Sequence, residues 1–235
     1  MQTKLKAFSI HLSISALIAL CVVALVFFIW YPAPLHTAVG VTGVFLILLA
    51  VDVVLGPLLT LLVYKPGKKT LVMDLTVIAL LQLSALGYGL YTVAEGRPAW
   101  LVFGGQHFEL VRKVDIEPHH LVREPSLWGP EWVSIQPPLQ LDFSIPFSSN
   151  KSINQNLYRQ PANYQDLSKQ IDRIRRTSLP IDMLKEKNSL EQINIVKKKW
   201  PDADGWIALN STAKNMIVLV NRKSGEIIAV ADLRS

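Results

Sequence analysis

Three long apolar stretches constrain this chain more than any other feature. They run from about Ala7 to Trp30, from about Val41 to Tyr64 and from about Leu71 to Val93. Each is longer than the roughly 20 residues that cross a hydrocarbon core of about 30 Å. A backbone in lipid must satisfy its own hydrogen bonds, so the three stretches read as transmembrane helices. The charges agree. Residues 1–96 carry five Lys/Arg (Lys4, Lys6, Lys65, Lys68, Lys69) and three acids (Asp52, Asp74, Glu95), whereas residues 97–235 carry nineteen and fifteen. The first part has a membrane-like composition and the second an ordinary soluble one. That excludes a single uniform globular domain and a disordered chain. One cysteine, Cys21, excludes an intramolecular disulfide and a Cys-based zinc site.

The first stretch follows a basic N-terminus, as a signal peptide would, but it is too long for a cleaved apolar region of about 7–15 residues. It ends in Phe27-Phe28-Ile29-Trp30-Tyr31, an interfacial aromatic belt rather than a small-residue cleavage site. Lys4 and Lys6 precede the first helix, Lys65, Lys68 and Lys69 sit between the second and third, and Pro32 to Gly40 is uncharged. Positive residues mark the cytoplasmic side. The expected layout is therefore a membrane domain over residues 1–96, with a cytoplasmic N-terminus, and an outward-facing domain over 97–235. In a two-membrane bacterium that is an inner-membrane protein with a periplasmic domain.

Polar residues inside the helices need partners, because intramembrane charge is costly. Asp52 lies about 18 Å in from Tyr64 at about 1.5 Å per residue, and Gln82 lies at a similar depth in the third helix. His11 and Asp74 both fall nearer the cytoplasmic face. Depth matching predicts two polar layers, Asp52 with Gln82 and His11 with Asp74. Either layer can be bundle glue or a partner-binding or proton-handling site. Asp74 also suits a helix first turn with Lys68 and Lys69 nearby. Gly56-Pro57 follows Asp52 by one turn. Pro57 removes a backbone donor, which allows either a lateral groove or a passive bend. Small residues spaced by four (Ser9/Ser13, Ser15/Ala19, Ala85/Gly89) permit close helix contact.

Beyond Arg97-Pro98 the pattern changes. Ala99–Phe103 and His107–Val111 read as strands around a Gly104-Gly105 turn. Residues 117–147 are proline-rich and read as loop with short extended pieces. A helix is expected from about Ala162 to Arg176, with Tyr164, Leu167, Ile171 and Ile174 on one face. A second is expected from Ser189, where Ser189-x-x-Gln192 makes a capping box, to Trp200. Three strands should close the chain: Trp206–Asn210, Met216–Asn221 and Glu226–Leu233. The predicted fold class is a three-transmembrane-helix bundle followed by a small α+β periplasmic domain of antiparallel strands with two or three helices.

No phosphate-binding glycine loop, metal-ligand pair, nucleophile elbow or redox Cys pair is present. The adjacent His119-His120 would diverge on a helix or a strand and make a poor metal site. No cofactor is expected, and the enzyme class is disfavoured. The basic runs Arg173-x-Arg175-Arg176 and Lys197–Lys199 read as solvated helix faces or as contacts for an acidic partner or anionic headgroups. Nucleic acid is excluded as a partner by the side of the membrane. Trp128 and Trp132, in Trp-Gly-Pro-Glu-Trp, suit a docking surface or a loop packed on a sheet.

Trp30-Tyr-Pro-Ala-Pro34, Gly40-Val-Thr-Gly43, Val51-Asp-Val-Val-Leu-Gly-Pro57, Tyr64-Lys-Pro-Gly-Lys-Lys69 and Glu95-Gly-Arg-Pro-Ala-Trp100 occur in this order. As an ordered set they resemble the type IV pilin accessory proteins of the TfpX/TfpZ family, over roughly residues 1–135. The resemblance implies a non-enzymatic inner-membrane protein that acts on pilin stability or on pilus assembly. Its implied partners are the type IV major pilin and the lipid bilayer. The candidate partner-binding residues are Asp52, Gly56, Pro57 and Gln82 in the bundle and Trp128 and Trp132 outside it. The competing class is a membrane-anchored periplasmic sensor or ligand-binding module, with a ligand pocket near Trp128 and Trp132.

Overall fold

The structure is a computed structural model that describes residues 2–116, 123–135 and 157–235. It divides into two compact units. The first comprises Met1–Ile29 and Val41–Gly96, the second Trp30–Gly40 and Arg97–Ser235.

The first unit holds three helices long and apolar enough to cross a membrane, Gln2–Trp30, Thr42–Val63 and Leu71–Glu95. In the first, an α-helix α1 (Gln2–Ala24) widens into a π-helical end over Leu25–Trp30. The second and third are α3 (Thr42–Val63) and α4 (Leu71–Glu95). Their outer faces carry exposed Leu17, Leu20, Ile47, Leu62, Leu80 and Leu81, as lipid contact requires. Ser15, Ala19, Val22 and Val26 form the buried stripe of the first helix. This spacing of three and four places them on one face. Phe27 meets Phe45 edge-on at 5.6 Å between centroids. Gly89 of α4 lies so close to Leu48 that an added Cβ would come within 2.5 Å of its methyl group. Of the small-residue pairs, Ser15/Ala19 and Gly89 thus serve helix contact, whereas Ser9, Ser13 and Ala85 face outward. The helix α3 continues through Pro57, with Gly56 and Pro57 both buried.

In the second unit a mixed sheet is built from β1 (Pro98–Phe103), β2 (Phe108–Arg112), β3 (Glu131–Ile135), β4 (Tyr164–Asp166), β5 (Leu179–Pro180), β6 (Gly205–Asn210), β7 (Met216–Val220) and β8 (Ile227–Ala231). The main order is β4-β3-β1-β2-β6-β7-β8, and β5 pairs with β6. The hairpins β1–β2, β6–β7 and β7–β8 are antiparallel as expected, but β1–β3 and β2–β6 are parallel. Both faces are covered. Every residue of β1 and β7 is buried, so these strands read as continuous apolar runs rather than alternating ones. Leu101, Phe103, Leu209, Met216 and Val218 form one core with Ile174. Ile217 and Leu219 turn to the other face, against Ile181, Leu184, Ile193 and Val196.

The uncharged segment between the first two spans belongs to this unit. Its short helix α2 (Leu35–Val39) places Leu35 and Ala38 in the same core as Phe103 and Val218. The Ala38 carbonyl accepts hydrogen bonds from the Ser211 hydroxyl at 2.5 Å and from the backbone N–H groups of Ala213 and Lys214 at 3.0 and 3.1 Å. Gly40 closes the helix at φ +80°, with the Ala213 methyl packed against it. A side chain at that position would be strained. A segment with no charge and two apolar anchors can be buried in this way; a charged one could not.

The helix expected over 162–176 is shorter than its periodicity suggests. Tyr164–Asp166 is instead β4, paired antiparallel with Val133–Ile135, and the Tyr164 ring packs edge-on against Trp100. The Asp166 carboxylate accepts from the Ser168 N–H at 2.7 Å and restarts the chain. The regular helix α5 spans only Ile171–Thr177. Strand pairing and a side-chain cap outweigh a helical pattern of four residues. By contrast, α6 (Leu190–Lys199) begins at the Ser189–Gln192 capping box as read, with both reciprocal hydrogen bonds formed.

At the end of β2, Asp115 accepts from Arg112 N, Nε and Nη2 at 3.1, 3.0 and 2.6 Å. Burial opposes its ionisation, but the hydrogen bonds and charge of Arg112 outweigh burial and hold its carboxyl below the usual range. A depressed folded-state value means stability present above the unfolded pKa of about 3.9 and lost as pH falls through the folded value. Asp115→Asn is expected to lower the stability of this unit by about 1–3 kcal/mol at pH 7. In thermal midpoints measured across pH, the gap between the two proteins should close below about pH 4.

Candidate functional site

The first unit contains one connected polar layer, and Gln82 of α4 is its hub. The Gln82 amide oxygen accepts from His11 Nε2 at 3.0 Å, and its nitrogen donates to Ser15 Oγ at 3.0 Å and to the Asp52 carbonyl at 3.1 Å. The other ring nitrogen of His11 lies 2.7 Å from Thr60 Oγ1. With the proton on Nε2, Nδ1 accepts from the Thr60 hydroxyl and the chain of bonds is complete. Residues from α1, α3 and α4 are thereby tied together by side-chain hydrogen bonds. The Asp52 carboxyl lies beside the same amide and is half-buried.

The expected pairing of Asp52 with Gln82 is present, but that of His11 with Asp74 is not. The first helix begins at Gln2, so His11 lies about 14 Å along it at about 1.5 Å per residue. It therefore joins the Gln82 layer. Asp74 stays in the first turn of α4, paired with Lys68 at 2.5 Å and with the Thr70 hydroxyl at 3.2 Å. The space that the missing Gly56 side chain leaves is filled by Gln82, whose amide would collide with a Cβ there. Ser15 and Thr60 were not anticipated as members of the layer. Their signal was spacing: Ser15 stands one turn after His11, and Thr60 one turn after Gly56.

Outside the bundle the two tryptophans differ. Trp132, on β3, packs edge-on against Phe108 at 5.4 Å and lies, partly buried, against the core that holds Phe103. Trp128 is 83% exposed beside exposed Leu127. Their loop is held from beneath by the buried Arg97 side chain, which donates to the carbonyls of Pro125 and Ser126 at 3.3 and 3.4 Å.

A second polar contact joins Tyr158 Oη to His107 Nε2 at 3.1 Å, in space that Gly104 leaves open. Burial pushes the His107 imidazole below and the Tyr158 phenol above their usual ranges. A neutral imidazole and a protonated phenol make a structural pin rather than a nucleophile pair. The basic runs are partly engaged: Arg173 donates to Gly105 O, and Lys197 pairs with Asp182, each at 3.0 Å. Among the described residues no group of His, Cys, Asp and Glu could hold a metal ion. His119 and His120 lie outside those residues.

Comparison with known proteins places this arrangement. A family profile described as Fimbrial assembly protein FimB matches residues 1–40. The chain is 36% identical over 113 residues to the fimbrial assembly protein of serogroup E1 from Dichelobacter nodosus, which covers 47% of this chain and 44% of that protein. The serogroup I protein of the same organism is 35% identical with the same coverage. The chain thus spans less than half the length of these two relatives. To the protein of serogroups C1 and C2 it is 35% identical over 113 residues, covering 86% of that relative. No solved structure matches the chain. With three apolar spans ahead of a strand-rich domain, and with most of one relative matched at this identity, the chain belongs to the fimbrial assembly protein family.

Proposed function

We propose that this chain is a non-enzymatic accessory of type IV pilus assembly in a bacterial inner membrane, as the TfpX/TfpZ resemblance implies. It binds the major pilin before the subunit is incorporated. A face of the helical bundle shields the pilin's membrane helix, and the α+β domain contacts its head. The N-terminus and the Lys65–Lys69 turn are cytoplasmic, and the second unit is periplasmic. Burial of Leu35 and Ala38 in the core of that unit supports this topology. The segment between the first and second spans must lie on the same side of the membrane as the residues it packs against.

The observation that carries the pilin reading is Asp52. Asp52 is half-buried at mid-helix, with the Gln82 amide as its polar neighbour. A polar side chain in that position is costly against lipid, and a helix presenting a complementary polar group relieves the cost. Co-purification of the major pilin with wild type and with Asp52→Leu tests this. Pilin recovery should fall about tenfold, the equivalent of about 1.4 kcal/mol of contact. Undiminished recovery with normal piliation would remove Asp52 from the mechanism.

A further inference from the structure

The sheet ends on an unusual strand. Edge strands ordinarily carry a charge or a proline that blocks pairing with another chain. Among the described residues β8 is the last in the order, and its five residues, Ile227-Ile-Ala-Val-Ala231, include neither. Its one irregularity is a register shift against β7 between Leu219 and Val220, away from the Val230–Ala231 end.

That end opens onto a cleft of about 310 Å³. The cleft is walled by Ile195 of α6 and by Trp200 just beyond it, and by Ala33 and Pro34 of the inter-span segment; Val230 and Leu233 line it from the strand side. Val230 and Ala231, which both line the cleft, face opposite cores: Val230 shares one with Ala38 and Ala231 shares one with Val196 of α6. The cleft therefore reaches both faces at the strand's edge, and that is the geometry an added strand needs. Lys199 stands at the cleft, over the Trp200 ring at 4.4 Å. A second recess shares Gln192 and Asp232 with the first and adds Lys214 and Arg234. Asp232 is matched by Lys214 at 2.5 Å, so Lys199 and Arg234 leave the rim positive.

We propose that the outer edge of β8 is a strand-addition site for an extended apolar segment of another protein that ends in acidic residues. Main-chain hydrogen bonds to β8 supply the pairing, alternate apolar side chains enter between α6 and Pro34, and the acidic end meets Arg234. A second copy of this chain fits poorly. Antiparallel pairing of two β8 strands about Ala229 would set Glu226 opposite Asp232, a like-charge pair. The proposal goes beyond the pilin reading and does not depend on it.

The test is fluorescence anisotropy on the full chain in detergent micelles. The probe is a fluorescein-labelled peptide of alternating Val and Thr ending in two Asp residues. Wild type should bind it. Ile195→Asp and Arg234→Glu, both on the surface, should each weaken binding at least tenfold with unchanged thermal midpoints. So should N-methylation of alternate peptide nitrogens, which removes strand pairing but leaves the side chains in place. A peptide ending in two Lys residues should fail to bind. Equal binding of the N-methylated peptide would overturn strand addition, and equal binding to Arg234→Glu would overturn the acidic specificity. Binding to phosphatidylglycerol vesicles with none to the peptide, or dimerisation abolished by Ile195→Asp, would give the cleft to lipid or to a second copy and overturn the proposal.

Discussion

Leu35→Ala is expected to destabilise the second unit by about 3 kcal/mol, and Leu35→Asp to unfold it. The side chain is 3% exposed within a core that also holds Phe103 and Val218. Removing buried methyl groups from a Leu costs about 2–5 kcal/mol. An unpaired carboxylate in the same place costs several kcal/mol more, which exceeds what a small domain can lose out of a total of about 5–15 kcal/mol. The readout is limited proteolysis of the region beyond Arg97, with thermal midpoints for the Ala variant. Ala33→Asp, on an exposed position of the same segment, should stay within about 0.5 kcal/mol of wild type. The consequence reaches beyond stability. A unit that takes part of its core from between the first two membrane spans completes its fold only after both spans are made.

The second large effect concerns Gly56. Gly56→Ala should destabilise the bundle by about 2–4 kcal/mol, although the change adds one methyl group. The added Cβ would displace the Gln82 amide, and displacement breaks its bonds to His11, Ser15 and the Asp52 carbonyl together. Each such bond in a membrane is worth about 0.6–2 kcal/mol. Gln82→Ala loses the same bonds, so Gly56→Ala added to Gln82→Ala should cost little further. A double-mutant cycle in detergent therefore returns a coupling of about 2 kcal/mol or more. Simple additivity would mean that Gly56 acts through α3 alone.

The apolar runs and their flanking lysines gave the spans to within a few residues, since length and composition dominate that choice. Ser189-x-x-Gln192 and the closing strands are equally clear, because caps and short apolar runs bounded by turns are local. What escaped was non-local. Nothing in Pro32–Gly40 marks Leu35 and Ala38 as core residues of a domain that starts about sixty residues later; the absence of charge was visible, but its use was not. Tyr164 lay on the apolar face of a helical pattern, and pairing with β3 decided its conformation. The parallel pairings of β1 with β3 and β2 with β6 depend on crossovers, which alternation cannot reveal. In the bundle, depth matching found Asp52 with Gln82. It misplaced His11 because the helix start was set five residues too late.

Labelling of single cysteines tests the central claim most directly. In a Cys21→Ser background, Ala33→Cys, Lys68→Cys and Lys187→Cys each place a thiol on an exposed position. They are treated in intact spheroplasts with a maleimide that cannot cross the membrane. The thiols at positions 33 and 187 should react, and the thiol at 68 should react only after permeabilisation. Reaction at 68 in intact cells, or protection of either 33 or 187 while the other reacts, would contradict a domain that shares its core with the first inter-span segment on the outer side of the membrane.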